Sequence, residues 1–340
     1  MKSAEASVTK STGQTAGAAS LAKARFNSAR LWSPPFALLI AALATGMWLS
    51  TAAGVARADE PVTLRWKLVA GQKFVVSYNQ KVDTETSFGG KPLKLAIDST
   101  IEQDWQVEAV DAEGVATISQ SVRRVALRMD LPPASAIEFD TSSPKKPTGD
   151  AQQIASAVTP LLGAKLTARL SARGQWSDVT LSPELKQTLQ TLAEKSILRD
   201  LLSQEGLEEL ARHGLATLPE APIKVNDSWD ATSELKSSVG KVKQTTTYKY
   251  EGTQAVDGRT LHKLASKGVV DWSDAPRTPA TNRQIKEQKV TGTALFDAVA
   301  GRFVESELLQ QLRTEARVRD TLLEVRLLNS LKVKVTAVGT

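Results

Sequence analysis

A long alternation of apolar and polar residues near the C-terminus limits the folds open to this chain more than any other feature. From Leu323 to Ala337 the odd positions are apolar except Asn329, and most even positions are charged or polar. A repeat of two residues is typical of a β-strand with one buried face, and a strand of this length spans about 50 Å. Sheets of ordinary size have shorter strands, so we expect a sheet that curls.

The alternation also predicts which side chains this strand buries. The positions that test the pattern are Val325, Leu327 and Val333, expected to be buried, and Glu324, Arg326 and Lys332, expected to meet water. The segment before it has apolar residues of one parity that also fit a spacing of four, so a helix at 305–318 is the alternative there. We favour a second long strand, antiparallel to the first and joined to it near Asp320.

Turn signals divide the rest of the chain into further strands. The sequence DAEG at 111–114, the pair Asp257-Gly258 and the sequence DAVAGR at 297–302 each separate two alternating segments. The Asp-Gly dipeptide is typical of tight hairpins, because both central residues need a positive φ. After the first of these turns the apolar residues change parity near Arg123, which predicts a β-bulge.

The middle of the chain has helix signals instead. Ser182 is a favourable N-cap and Pro183 a favourable first residue for a helix with an apolar face. The leucines of that face are Leu185, Leu189 and Leu192. A second helix is predicted at 203–214, and a third at 151–162, where a proline interrupts it.

These patterns together predict an α+β fold in one domain, residues 59–340. A long, curved antiparallel sheet, similar to half a barrel, would have the helical middle packed on it or inside it. The predicted parts are strands at 62–141, with a polar loop from 132 to 149, a mainly helical segment at 150–218 and strands at 223–338.

The apolar run Phe36–Leu49 predicts a targeting segment. Its fourteen residues would span about 21 Å as a helix, short of the ~30 Å membrane interior. Basic residues precede it, so we predict that residues 1–58 are a signal peptide. The cleavage pattern consists of Ala56 and Ala58, directly before Asp59. We expect export to the periplasm or the extracellular space, and the alternative is an uncleaved membrane anchor at 36–56.

Charge and composition exclude several partners and cofactors. The chain has a net charge of +6, but residues 1–58 hold six basic residues and one acidic residue, which leaves 37 basic and 36 acidic residues in the remainder. Nucleic acid is therefore not expected as a partner, and a membrane only through the signal peptide or the anchor. The absence of cysteine excludes disulfides and thiolate metal sites. No cofactor and no metal are predicted.

The catalytic signals in this sequence are weak. The two histidines, His213 and His262, fall at the end of a predicted helix and inside a predicted strand. The sequence FDTS at 139–142 resembles one loop of an aspartic protease, but no second such loop exists, so a turn that ends a strand is the better interpretation. We predict no catalytic residues, and a hydrolase that uses carboxylates alone is the least favoured alternative.

Four sequence pieces in the strand-rich parts carry a family resemblance. They are LRWKLVAGQKF, VNDSWDA, GTQAVDGRTLHKL and GTALFDAVAGRF. In these pieces the chain resembles a family of uncharacterised exported proteins known mainly from planctomycete-type bacteria. Its predicted architecture is similar to that of the half-barrel carriers of the bacterial cell envelope. The family implies a compartment and a shape and brings no catalytic residues, and the carriers imply a lipid chain held between sheet and helices.

The sequence thus predicts an envelope protein that binds a lipid or another apolar small molecule in the groove of its sheet. The predicted lining residues are Trp105, Leu185, Leu189, Leu192, Val325, Leu327 and Val333, the three helical leucines forming a lid. The alternative is a structural or interaction component of the envelope, whose partner is an envelope protein.

Overall fold

The computed structural model describes residues 60–193, 215–237, 240–272, 283–318 and 320–339. The predicted signal peptide, its cleavage residues Ala56, Ala58 and Asp59, and the predicted helix at 203–214 with His213 lie outside these ranges. Export, cleavage and the domain boundaries therefore stay predictions.

The described residues form one antiparallel sheet with two short helices and a 3-10 turn. The strands are β1 (Lys73–Phe88), β2 (Lys91–Val110), β3 (Ala116–Asp130), β4 (Ile137–Asp140), β5 (Lys165–Leu170), β6 (Trp176–Leu181), β7 (Ser228–Ser237), β8 (Gly240–Val256), β9 (Arg259–Asp271), β10 (Arg283–Asp297), β11 (Arg302–Val318) and β12 (Thr321–Ala337). The helices are α1 (Asp150–Val158) and α2 (Pro183–Ala193), and the 3-10 turn is Thr159–Leu161. The strand order is β6-β5-β3-β2-β1-β12-β11-β10-β9-β8-β7, and β4 also pairs with β3.

This architecture is nearly all β, and the predicted α+β class with a helical middle at 150–218 is wrong. Residues 165–181 of that segment are β5 and β6, which extend the sheet beside β3. The alternation of buried Leu166, Ala168 and Leu170 with more exposed neighbours is a strand pattern, and the helix signals on either side concealed it. The predicted loop from 132 to 149 likewise contains β4.

The two helix boundaries in this region agree with the sequence analysis. Helix α2 begins at Pro183, and the backbone N–H of Leu185 donates to Ser182 Oγ at 3.2 Å. Helix α1 ends at Val158, where the 3-10 turn around Pro160 replaces it.

The two long C-terminal strands are confirmed. β11 and β12 pair from Glu305 opposite Lys334 to Val318 opposite Thr321, which excludes the alternative helix at 305–318. Val325, Leu327 and Val333 are buried, Arg326 is exposed, and Glu324 and Lys332 are half-buried. The turn at Asp257-Gly258 has positive φ at both residues, and the register shift opposite Glu102 and Gln103 gives the β-bulge at Arg123.

Backbone hydrogen bonds from one irregular segment show how strongly the sheet curls. Trp66 N donates to Ala172 O in the β5–β6 turn at 2.8 Å, and the next residue, Lys67, donates to Gly301 O in the β10–β11 turn at 2.9 Å. In a flat sheet β5 and β10 would stand about 29 Å apart, six strand spacings, whereas consecutive Cα atoms are only about 3.8 Å apart. The sheet must therefore curve until these turns nearly meet.

Two faces follow from the register, because residues directly opposite each other in an antiparallel ladder lie on the same face. We call the concave face that carries Phe74, Val76 and Tyr78 the inner face. Its near half consists of the rows through β1 residues 74–80, and its far half of the rows through β1 residues 82–88.

Candidate ligand-binding face

The near half of the inner face is filled by the chain itself. Segments 62–68 and 215–223 cross it, joined by a bridge between Val62 and Ile223. Trp66 packs edge-on against Phe303 at 5.7 Å between ring centroids, and Phe303 meets Phe296 at 5.0 Å. These two phenylalanines are fully buried. The result is an ordinary packed core, to which nine strands and both crossing segments contribute.

The far half of the inner face is covered unevenly. On β11 and β12, Leu312 and Leu327 are buried. On β2, by contrast, Leu95 and Ile97 are only half-buried, and Leu93 is 52% exposed. Two further apolar residues continue this surface, Phe88 at 41% and Leu131 at 38% exposure. The apolar inner face therefore becomes more accessible toward the end of the sheet at the β1–β2 hairpin.

Helix α1 covers one flank of this surface. Its Ile154 and Val158 pack on Phe139 of β4, and Leu127 of β3 lies against the same cluster. The helix has only nine residues, so it reaches β3 and β4 and leaves the inner residues of β2 to other contacts.

A row of polar side chains lies where the two halves meet. Gln310 and Asn329 lie directly opposite each other on β11 and β12 and have no exposed surface. Asn329 Oδ1 accepts a hydrogen bond from Gln80 Nε2 at 3.1 Å. Within the described part of the chain, Gln310 Oε1, Gln310 Nε2, Asn329 Nδ2 and Ser266 Oγ are buried without a hydrogen-bond partner. Buried polar atoms are nearly always paired. Five other side-chain atoms in the described ranges also lack a partner, on Trp66, Gln120, Trp272 and Thr291, so the row differs from them in the adjacency of Gln310 and Asn329.

The outer face, opposite the core, is a charged surface with its charges paired. Its carboxylates form cross-strand ion pairs: Asp98 with Lys81, Glu102 and Asp140 with Arg124, and Asp104 with Arg123. A depression of about 1040 Å³ lies at the far half of the sheet, lined by the inner-face leucines Leu95, Leu312 and Leu327 and by four basic and four acidic residues: Lys94, Lys289, Arg313, Arg326, Asp83, Glu85, Asp130 and Glu287. The lining therefore carries no net charge.

The FDTS sequence is the turn that the sequence analysis preferred. β4 ends at Asp140, whose Oδ1 accepts hydrogen bonds from the backbone N–H of Ser142 at 2.8 Å and from its hydroxyl at 2.7 Å. The hydrogen bond from the Arg124 guanidinium holds the pKa of Asp140 well below its usual range. The carboxylate is thus a fixed structural anion in a salt bridge.

His262 sits at the near half, inside β9 as predicted. Its Nδ1 is 2.8 Å from the hydroxyl oxygen of Tyr250, and burial lowers the pKa of His262 although the charge of Asp297 opposes that effect. No cluster of three metal-ligating side chains occurs in the described ranges. None of the helices described there is long and apolar enough to cross a membrane.

The predicted lining residues are dispersed over several clusters. Trp105 and Val333 belong to the near-half core, where Trp105 packs against Trp176 at 5.2 Å. Leu185 and Leu189 pack on β5 and β6, because α2 starts two residues after β6 and stays at that edge of the sheet. The side chain of Leu192 lies outside the described residues. Their role in lining a ligand site stays a prediction.

Only two of those residues lie on the far half, Val325 and Leu327. The half-exposed partners across β1, Leu93, Leu95 and Ile97 of β2, were not among the predicted lining residues. Their alternation with Lys94, Ala96 and Asp98 was a readable signal. Gln310 and Asn329 were not predicted either, although Asn329 was the one polar position in the apolar register of β12.

Comparison with solved structures finds low similarity. A lipovitellin structure solved to describe lipid–protein interactions matches 80% of this chain and 26% of its own, with 12% identity and a TM-score of 0.37. An exported protein of Bacteroides fragilis with a YmcC-like fold matches 78% of this chain and 98% of its own, with 10% identity and a TM-score of 0.29. An outer-membrane channel of Pseudomonas putida matches 83% of this chain and 100% of its own, with 10% identity and a TM-score of 0.20.

Comparison by sequence finds one family. The chain matches no curated protein. Residues 113–259, from the β2–β3 turn to the first residue of β9, match a family of unknown function, DUF6263.

Proposed function

We propose that this is an exported cell-envelope protein that holds a lipid or another apolar small molecule on the far half of its inner face. The observation that carries the proposal is the half-exposed apolar surface of Leu93, Leu95 and Ile97 on the concave side of a strongly curved sheet. Export is proposed from the apolar run Phe36–Leu49 and the cleavage pattern before Asp59.

The contrast between the two halves supports this function. In the near half, segments 62–68 and 215–223 supply apolar side chains that fill the concavity. In the far half, β2 presents large apolar side chains to the same concave side that stay partly accessible. Covering a leucine side chain stabilises a protein by about 1.5–3 kcal/mol, so an occupant that covers several of them binds favourably.

An acyl chain has the chemistry that this surface needs. Each methylene that it buries contributes about 0.8 kcal/mol, and the inner positions of the far half on β1, β2 and β12 are mostly aliphatic. The ligand would lie along β1 and β2, with Val325 and Leu327 retained from the predicted lining residues as its floor.

Thermal unfolding with and without an acyl probe tests this function. Oleyl alcohol at increasing concentration should raise the Tm of the purified chain, because a ligand that binds only the folded state stabilises it. Leu95→Glu, which places a charge on the inner face, should abolish the rise. The matched control is Ala96→Glu, one residue along β2 and on the outer face, which should keep it.

An unchanged Tm would contradict the proposal. If oleyl alcohol, oleic acid and octadecene all leave the Tm unchanged at saturation, the ligand-binding function is wrong. The chain would then be a structural component of the envelope, with its half-exposed apolar face covered by an envelope protein.

A further inference from the structure

The polar residues where the two halves meet are buried and lack hydrogen-bond partners. Gln310 and Asn329 have no exposed surface, and Ser266 is 6% exposed, so bulk water does not satisfy them. In the described ranges, four of their polar atoms make no hydrogen bond. A buried donor or acceptor without a partner destabilises the folded state, and Gln310 and Asn329 place three such atoms side by side on neighbouring strands.

The register places Gln310 and Asn329 side by side on the inner face, with Ser266 two strands from Gln310 in the adjacent row. Gln310 lies opposite Asn329, and across β10 its row continues through Val290 to Gly268. In the adjacent row Ser266 lies opposite Gly292. Gly292 and Gly268 carry no side chains, and the buried side chain of Val290 lies between Gly268 and Gln310. An added Cβ at Gly268 would stand 2.8 Å from Val290 Cγ1, so a larger residue there is excluded.

The donor and acceptor inventory defines the missing partner. Gln310 offers both an amide N–H and a carbonyl oxygen, Asn329 offers N–H groups, and Ser266 can donate or accept. The side chains next to them on the inner face are uncharged, among them Val82, Leu308 and Val290. A charged headgroup would be buried there without a counter-ion, which is strongly unfavourable. The partner is therefore a neutral group that both donates and accepts.

The position of the row leaves an apolar track of the far half for the tail of such a molecule. From Asn329 to Leu323, at the open end of the far half, β12 runs six residues, or about 20 Å. The inner positions along this track on β1 and β12 are Val82, Thr84, Leu327 and Val325, and the half-exposed residues of β2 flank them. A polar group held at the row would leave an apolar chain lying on the surface described above.

We propose, on the basis of the proposed function, that Gln310 and Asn329 bind the polar group of a neutral single-chain amphiphile. The ligand class is a fatty amide, fatty alcohol or monoacylglycerol, with its head at the polar row and its tail toward Leu93 and Phe88. The polar row thus selects ligands by their headgroup, and the apolar far half binds their hydrocarbon chain.

Binding of three probes with the same chain tests the headgroup selection. Oleamide, oleic acid at neutral pH and octadecene are titrated into the purified chain, and the dissociation constants are measured by displacement of a fluorescent acyl probe. Oleamide should bind about tenfold or more tightly than octadecene, the effect expected of one or two buried hydrogen bonds. Oleic acid should bind less tightly than oleamide, because its carboxylate is charged.

Two variants and a matched control locate the effect. Gln310→Met keeps an unbranched side chain of similar size and should reduce the preference for oleamide over octadecene to less than about threefold, with octadecene binding unchanged. Asn329→Leu should act in the same direction. Gln120→Met is the control, because Gln120 is also buried with both amide atoms unpartnered in the described structure but lies in the near half, opposite Trp105.

The contrary results distinguish failure of the headgroup inference from failure of the proposed lipid-binding function. Equal binding of oleamide and octadecene would overturn the headgroup inference and leave the lipid-binding function standing. An oleamide preference that survives in both Gln310→Met and Asn329→Leu would also overturn it, as internal water would then satisfy the row. No binding of any probe would overturn both.

Discussion

The two halves of the inner face are built by the same strands with the same alternation, yet they differ in what covers them. In the near half, Trp66 and Leu218 from the crossing segments pack against Phe303 and its neighbours, and the side chains are almost fully buried. In the far half, β11 and β12 are buried whereas β2 remains half-exposed. A strand pattern therefore determines which face is apolar, and a different part of the chain or a ligand determines whether that face becomes a core.

The largest expected difference between the halves is in the cost of removing a side chain. Phe303→Ala in the near half should lower the free energy of unfolding by about 3–5 kcal/mol, because it leaves a cavity in a packed core. Leu95→Ala in the far half should cost less than about 1.5 kcal/mol, since its side chain is half-exposed. Urea denaturation measures both, and equal losses would contradict the contrast.

The connection between the crossing segment and the β10–β11 turn should be the next most sensitive. Gly301 has a φ of 62°, and an added Cβ would overlap Lys67 Cβ. Gly301→Ala should therefore cost about 2–5 kcal/mol, from strain and from the displaced segment. Gly258→Ala is the control in another turn, with a φ of 74° and open space around it, and should cost about 1–2 kcal/mol. Similar losses of unfolding free energy in the two variants would mean that the contact between segment 62–68 and the β10–β11 turn does not stabilise the near half.

The smallest expected effect is a pH dependence located in the near half. Burial lowers the pKa of His262, so the unfolded chain takes up a proton at a higher pH than the folded chain does. The contribution of His262 to stability is therefore fully present above its unfolded pKa of about 6.5 and is lost as the pH falls through the lower folded pKa. Unfolding free energies measured from pH 8 to 5 should fall less steeply for His262→Gln than for the wild-type chain. Identical slopes would contradict this assignment.

The sequence predicted the strands better than their surroundings. The alternation from Leu323 to Ala337 was long enough to determine strand, face and register parity, and Asp257-Gly258 predicted its hairpin. The short alternation of β5 was missed, because six residues between two helix signals carry little weight. Local patterns also do not show that segment 62–68 leaves the sheet and crosses its concave side, which depends on contacts with turns more than a hundred residues away.

The candidate site shows the same limit. Leu185 and Leu189 are buried, but the partners of a helix face cannot be read from its periodicity, and α2 packs at the β5–β6 edge. Gln310 appeared as one polar residue among many in an alternating segment. Its burial depends on its position opposite Asn329 in the middle of a curved sheet, and only the folded arrangement reveals that.

Photo-crosslinking with an acyl probe tests the central claim most directly, namely that the far half of the inner face holds an apolar ligand. An oleyl alcohol analogue with a diazirine near its terminal carbon is bound to the purified chain, irradiated, and the labelled residues are located by peptide mass spectrometry. We predict saturable labelling of the inner-face residues Leu93, Leu95, Ile97, Met129 and Leu131, suppressed by excess oleyl alcohol and absent in Leu95→Glu. Labelling that does not saturate, or that falls on outer-face residues such as Ala96 and Asp98 and persists in Leu95→Glu, would contradict the account.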